Sequence, residues 1–238
     1  MEIKILHLYP KEMNLYGDRG NILTLIRRAE WRDIKATVIP YEPGDKVPDD
    51  IDIIFGGGGQ DSGQEKITAD LKTISSRLKI LAEEGMPMLV VCGLYQLFGE
   101  YYVTSSGKKL SGIGIFDLHT TSSPSRHIGN ITIHSEKFGD IVGYENHSGL
   151  TLLDDFSKPL GTVTKGFGNN GKDKTEGIIY KNCIGTYLHG PLLPKNPRLA
   201  DFLIETALRN KYGKKVELKN LDDKIEKMAH RVASSRPR

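Results

Sequence analysis

Of the 238 residues only two are cysteine, Cys92 and Cys183, and one is tryptophan. Two thiols cannot build a disulfide framework and cannot hold a metal alone, so reduced thiols in a cytoplasmic protein and no metal are expected. No apolar run approaches the roughly 18 residues that a membrane helix needs. The first ten residues, MEIKILHLYP, alternate like a strand and lack the apolar core of a signal peptide. Charge of one sign is scarce too. The formal net charge is only +3, and no basic stripe is interleaved with aromatics, which argues against nucleic acid as a partner. Four glycines, Gly56 to Gly59, invite a phosphate-loop reading. With Gly58 and Gly63 as the fixed glycines, Gln64 and Glu65 fall where Lys and Ser or Thr are required, so the motif fails.

What is present is an ordinary 38% hydrophobic chain with an uneven charge distribution. Residues 214–238 carry eight Lys or Arg against four Asp or Glu, which leaves the rest of the chain near neutrality. This divides the chain into a body, 1–213, and a basic, partly helical C-terminal tail, 214–238. A solvated end is the simpler reading of that tail; docking to a partner or an anionic surface is the other. Within the body, strand patterns at 2–9, 34–41, 50–55 and just before Cys92 alternate with helix patterns at 20–32 and 68–84. That βαββαβ order predicts an α/β fold with a mainly parallel sheet and helices on both faces. Residues 110–173, richer in Gly, Ser and Thr, predict added antiparallel strands and long loops. A last core strand is expected within 176–190 and a closing helix over 196–213.

In such a sheet, ligands bind beyond the carboxyl ends of the strands. Cys92 falls at one of those ends, where the run MPMLVV meets Gly93 and the apolar spacing becomes helical. A sharp strand-to-helix turn exposes its side chain, and a helix N-terminus favours the nucleophilic thiolate. The turn also leaves the Gly93 amide free to bind an oxyanion. Glycines let the backbone approach a reacting carbonyl, so the loop of Gly57 and Gly58 is a candidate second donor. A cysteine is more often a small core residue, and Cys183, in mid-strand, is read that way. His189, in TYLHG, stands at another strand end and could activate the thiol. Among the other histidines only His147, in a polar glycine-containing loop, has comparable claims.

Three segments, CGLYQLFG (92–99), GYENHSG (143–149) and GTYLHGPLLPKNPRLAD (185–201), resemble class I glutamine amidotransferases of the cobyric acid synthase type. Together with MNLYGDRGN (13–21) and GGGGQD (56–61) they closely resemble the small glutaminase subunits that act with a Mur-ligase-like protein in Gram-positive cell-wall synthesis. The resemblance implies a flavodoxin-like domain in which Cys92 attacks the side-chain amide of L-glutamine and His189 carries the proton to the departing ammonia. A γ-glutamyl thioester forms and is hydrolysed. The Gly93 amide, with that of Gly57 or Gly58, would stabilise the oxyanion. Arg126, in SRHIGN, matches the arginine that binds substrate, and its guanidinium suits the α-carboxylate of glutamine. The resemblance further implies a heterodimer with no cofactor in this chain. The partner would use ATP to amidate the D-glutamate α-carboxyl of lipid II, in the cytoplasm at the inner face of the membrane.

Two departures carry expectations of their own. Leu94 stands where the family has glycine, which predicts a narrowed space beside the thiol. Pro191 stands where many relatives carry an acid two residues after the histidine. The resemblance then implies that an aspartate of the Mur-ligase-like partner orients His189, and the chain alone is expected to be a poor glutaminase. A different cysteine hydrolase, or a non-catalytic regulatory subunit on the same scaffold, remains open.

Overall fold

The computed structural model of the protein describes residues 1–213 and 216–237, so Lys214, Lys215 and Arg238 of the basic tail lie outside the described residues. The chain opens with β1 (Glu2–Leu8), α1 (Arg19–Glu30), β2 (Lys35–Tyr41) and β3 (Ile53–Gly56). Then come α2 (Asp61–Thr73), α3 (Ser75–Glu83), β4 (Met88–Val91) and the short α4 (Gly93–Phe98). Both β3 and β4 are buried at every position, as strands covered on both faces must be. One helix expected over 68–84 is instead two, meeting at Ile74. Ile67, Leu71, Leu78 and Leu81 continue one buried face across the join, so spacing alone does not reveal the break.

The next stretch contains β5 (Tyr101–Val103), β6 (Lys109–Ser111), β7 (Leu118–Ser135), β8 (Gly139–Leu153), β9 (Gly161–Lys165) and β10 (Thr175–Glu176). The long loops expected between 110 and 173 are replaced by one ribbon, β7 of 18 residues paired antiparallel to β8 of 15. The expected strand within 176–190 is a hairpin of β11 (Ile178–Tyr180) and β12 (Cys183–Thr186), turning at Lys181 with φ +52°. α5 (Pro197–Tyr212) and α6 (Lys224–Ser235) complete the chain.

The central sheet has the order β11-β12-β4-β3-β1-β2, parallel throughout except for β11 at its edge. β4 thus lies between β3 and β12, and the segments leaving those two strands flank the turn that carries Cys92. The second sheet runs β10-β9-β7-β5-β6, with β8 on β7. The described tail lies against the body rather than free of it. The buried Arg28 guanidinium pairs with Asp201 of α5 and with Asp223 at the start of α6, each at 2.7 Å. Arg32 adds a bond to the Lys219 carbonyl at 2.7 Å.

Glu176 fastens the segment that leaves β12. Its carboxyl, wholly buried, accepts hydrogen bonds from Thr186 Oγ1 at 2.6 Å and from the Tyr187 amide at 2.8 Å. Burial, opposed only in part by these bonds, pushes its pKa up to about 7. A carboxyl raised in the folded state binds more protons folded than unfolded, so stability falls as pH rises from about 4.5 to about 7. Glu176→Gln keeps one acceptor and removes the titration. The melting temperature of the parent should fall from pH 5 to pH 7.5 by more than that of the variant; equal slopes would show that this carboxyl does not titrate there.

Candidate active site

Cys92 has φ +50° and ψ −103°, outside the regions open to L-residues, and strain of this kind is stored where the surroundings over-determine the backbone. The constraints are visible. The Cys92 amide donates to the Thr186 carbonyl of β12 at 2.8 Å, and its own carbonyl accepts from the Gln96 amide of α4 at 3.0 Å. A Cβ on Gly93 would lie 2.9 Å from the Gly59 amide nitrogen, so only glycine lets the elbow close on the β3 loop. Leu94 does not line the cleft that holds Cys92. Its side chain is buried over Gly56, where any Cβ would stand 2.2 Å from Leu94 Cδ1. The missing side chain of Gly56 accommodates the larger residue.

His189, also wholly buried, follows β12 and bridges to Tyr144 of β8 through paired backbone hydrogen bonds of 2.9 and 3.1 Å. Cys92 and His189 converge over Gly58: a Cβ there would meet His189 Cε1 at 2.8 Å and Cys92 Cβ at 3.0 Å. Burial opposes a charge on His189, but the neighbouring thiolate charge and the Asp18 carboxylate outweigh it and raise its pKa. Its Nε2 has no hydrogen-bond partner among the described residues other than the neighbouring Cys92 side chain, which makes it the nitrogen that exchanges the thiol proton.

The orienting acid is internal. Asp18 Oδ1 lies 3.1 Å from His189 Nδ1, and both side chains are buried. An ionised carboxylate only accepts, so Nδ1 is the nitrogen that donates to Asp18, and Nε2 is the one left to exchange a proton with the thiol. Where the sequence leads one to expect an acid from a partner, the chain thus holds a carboxylate of its own. Pro191, read as a gap, is what α1 packs on: a Cβ at Gly20 would stand 2.4 Å from Pro191 Cγ, so glycine lets the start of the helix close and carry Asp18 to the imidazole. Tyr16, at φ +55°, lies edge-on to the His189 ring, 4.9 Å between centroids.

Asp18 also removes one expected oxyanion donor. The Gly58 amide donates to Asp18 Oδ2 at 2.7 Å and is already engaged. The Gly57 Cα packs on the Met13–Asp18 loop, with Met13 O 2.4 Å from a built Cβ. The Gly59 amide is the one beside Gly93, and it makes no hydrogen bond among the described residues. The Gly59 amide thus joins that of Gly93 as a candidate oxyanion donor.

Cys92, Arg126, His147 and Gly59 line one cleft of about 730 Å³. Arg126 lies where the β7–β8 register slips between Ser122 and His127, and it donates to Asn146 Oδ1 at 2.8 Å. His147 is not a second base. Burial pushes its pKa down to about 3, Nδ1 donates to the Gly149 carbonyl at 2.8 Å, and the ring stacks 3.6 Å from that of Tyr187. Cys183 is wholly buried, and burial pushes its thiol up to about 12. Iodoacetamide at substoichiometric concentration should therefore alkylate Cys92 and leave Cys183 untouched. Comparable labelling of both peptides in a mass-spectrometric digest would contradict that difference.

The geometry has counterparts. Residues 4–197 match the CobB/CobQ-like glutamine amidotransferase domain. The chain is 46% identical to lipid II isoglutaminyl synthase (glutamine-hydrolyzing) subunit GatD of Staphylococcus aureus, over 99% of this chain and 96% of that protein. It is 42% identical to the subunit of the same name from Streptococcus pneumoniae, over 93% of this chain and 86% of that one. A crystal structure of a glutamine amidotransferase superposes with a TM-score of 0.60 at 12% identity, covering 85% of this chain and 98% of that one, which shows the shared fold. With a flavodoxin-like sheet, a cysteine elbow and a histidine at the neighbouring strand end, the chain belongs to the CobB/CobQ-like, class I glutamine amidotransferases.

Proposed function

We propose that this chain hydrolyses L-glutamine to glutamate and ammonia as one subunit of a lipid II isoglutaminyl synthase. The observation that carries the reading is the internal Cys92–His189–Asp18 arrangement at the floor of a cleft that also holds Arg126. Glutamine enters with its α-carboxylate on Arg126 and its side-chain amide over Cys92. The Cys92 thiol gives its proton to His189 Nε2 as Sγ bonds to the amide carbon. The carbonyl oxygen becomes an oxyanion facing the Gly93 and Gly59 amides. His189 passes the proton to the nitrogen, the C–N bond breaks, and ammonia leaves a γ-glutamyl thioester. Water then attacks that carbon while His189 takes its proton, and the C–S bond breaks to release glutamate and the thiol. Asp18 holds the imidazole in the tautomer that these transfers require.

The names of the two relatives support a companion subunit and lipid II as the substrate acted on by the assembled synthase. In this reading the companion is Mur-ligase-like, consumes ATP and receives the ammonia to amidate the D-glutamate α-carboxyl. Work on a lipid-linked substrate places the complex in the cytoplasm against the inner face of the membrane; no described helix is long and apolar enough to cross it. This chain itself needs no cofactor for the hydrolysis written above. The Leu94 departure gives no ground for an inactive subunit, since that side chain packs over Gly56 and does not line the cleft.

Glutamate formation by the isolated chain tests the assignment. Cys92→Ser should abolish it and Cys183→Ala should leave most of it. Asp18→Asn should lower kcat by about 10²- to 10⁴-fold, because the amide favours the wrong tautomer. Unchanged turnover in Asp18→Asn would remove Asp18 from the catalytic set. Arg126→Ala, which loses a contact made equally in ground and transition states, should act chiefly by raising KM. A loss confined to kcat would assign Arg126 to bond breaking instead.

A further inference from the structure

The cleft above Cys92 has a charge pattern that the chemistry at the thiol does not use. Among the described residues that line it, Arg126 is the only permanent cation and Asp61 the only carboxylate. The remainder is neutral: serines, Gln60, Gln96, Asn146, Tyr16, Tyr102 and a neutral His147. The two charged groups come from different layers. Asp61 begins α2 directly after the glycine loop of the central sheet, and Arg126 lies on the β7–β8 ribbon.

Asp61 is held rather than left to solvent. Oδ1 accepts from the Tyr102 hydroxyl at 2.9 Å, and Oδ2 accepts from the Ser105 hydroxyl at 3.0 Å and the Ser105 amide at 3.2 Å. Burial and the Asp61 charge keep the Tyr102 phenol protonated and therefore a donor. A carboxylate offers about four lone-pair sites, so three donors leave one vacant. All three partners are neutral, so no cation among the described residues is hydrogen-bonded to this carboxylate. Its orientation is fixed in advance, which removes an ordering cost from any cation that binds it.

We infer that Asp61 binds the α-ammonium of glutamine while Arg126 takes the α-carboxylate, so that the cleft selects a free amino-acid zwitterion with a neutral side chain. The inference rests on the glutaminase reading above and adds the determinant of substrate choice. One carboxylate and one guanidinium in an otherwise neutral cleft match a zwitterion in number and sign. A glutamine residue within a peptide, or an N-acylated glutamine, has no ammonium and leaves the Asp61 charge unpaired. Losing a charge-assisted hydrogen bond of this kind costs roughly 1.5–3 kcal/mol, or about 10- to 100-fold in affinity. Asp61 thus contributes to binding and takes no part in the proton transfers at Cys92.

The test compares L-glutamine with glutaramate, the same amide and carboxylate without the ammonium. The parent should hydrolyse glutamine with kcat/KM about 10- to 100-fold above that for glutaramate. Asp61→Asn keeps the shape and the acceptor for Tyr102; it should lose most of that ratio and leave glutaramate within about twofold of the parent. Ser105→Ala, which only loosens the anchoring of the loop, should keep the ratio. A ratio unchanged in Asp61→Asn, or an equal fall for both substrates, overturns the inference. Product inhibition gives an answer without any variant: L-glutamate should inhibit the parent far more strongly than glutarate, and equal inhibition overturns the assignment. A parent that hydrolyses neither amide overturns the glutaminase reading itself, and this inference with it.

Discussion

The Asp18 carboxylate, with no exposed surface, accepts the Gly58 amide at 2.7 Å on one oxygen and faces His189 Nδ1 at 3.1 Å with the other. Three segments remote in sequence meet at this group: the turn into α1, the loop after β3 and the loop after β12. Each contact has a condition attached. Gly58 must lack a side chain, or its Cβ would collide with His189 and Cys92. Gly20 must lack one too, or α1 would be held off Pro191 and Asp18 withdrawn from the imidazole. A buried carboxylate without these partners would be expensive to keep ionised. The charge therefore stabilises this loop arrangement only when the imidazole and the amide are both in place, which makes correct folding of the site and correct orientation of His189 one event.

The second constraint is the strain at Cys92. A residue at φ +50° and ψ −103° persists because its amide is tied to Thr186 O and its carbonyl to the first turn of α4. Thr186 is held in turn by Glu176, whose carboxyl also takes the Tyr187 amide. The strand that anchors the nucleophile is thus the strand that delivers His189 three residues later. Because β4 runs beside β12 in parallel, any shift of β12 moves both residues in the same sense. Parallel pairing preserves their separation, which a connection through flexible loops would not.

Much of this was legible in the residues. Strand-to-helix punctuation at Cys92–Gly93 and the strand end at His189 identify two members of the site, because a glycine after a buried run is a local signal. The alternation of periods likewise yields the parallel sheet. The break between α2 and α3 was not legible, since Ile67, Leu71, Leu78 and Leu81 keep one apolar face across it. Asp18 was missed for a different reason. It lies 171 positions from His189, and search for an acid near the histidine motif finds only Pro191. The available signal was the quoted YGDRGN itself, an aspartate just before a helix with a small residue two places on. Gly57, Gly58 and Gly59 cannot be told apart by type; only the structure shows that the Gly58 amide is already spent on Asp18.

The two sheets divide the work. The central sheet fixes thiol, imidazole and carboxylate through buried backbone contacts with almost no exposed surface. The β7–β8 ribbon brings Arg126 to the cleft at a register slip, held mainly by the Asn146 side chain and exposed to solvent. Bond breaking needs reacting atoms held in fixed geometry, whereas a charged anchor tolerates small displacements because attraction between ions falls off gradually with distance. A long ribbon is a poor place for a nucleophile and an adequate one for a guanidinium. The ribbon is not independent of the elbow, however: β8 pairs with His189 at Tyr144, and a Cβ at Gly149 would stand 2.4 Å from Gln96 Nε2, so only its exposed positions, such as Arg126, are free of the buried site.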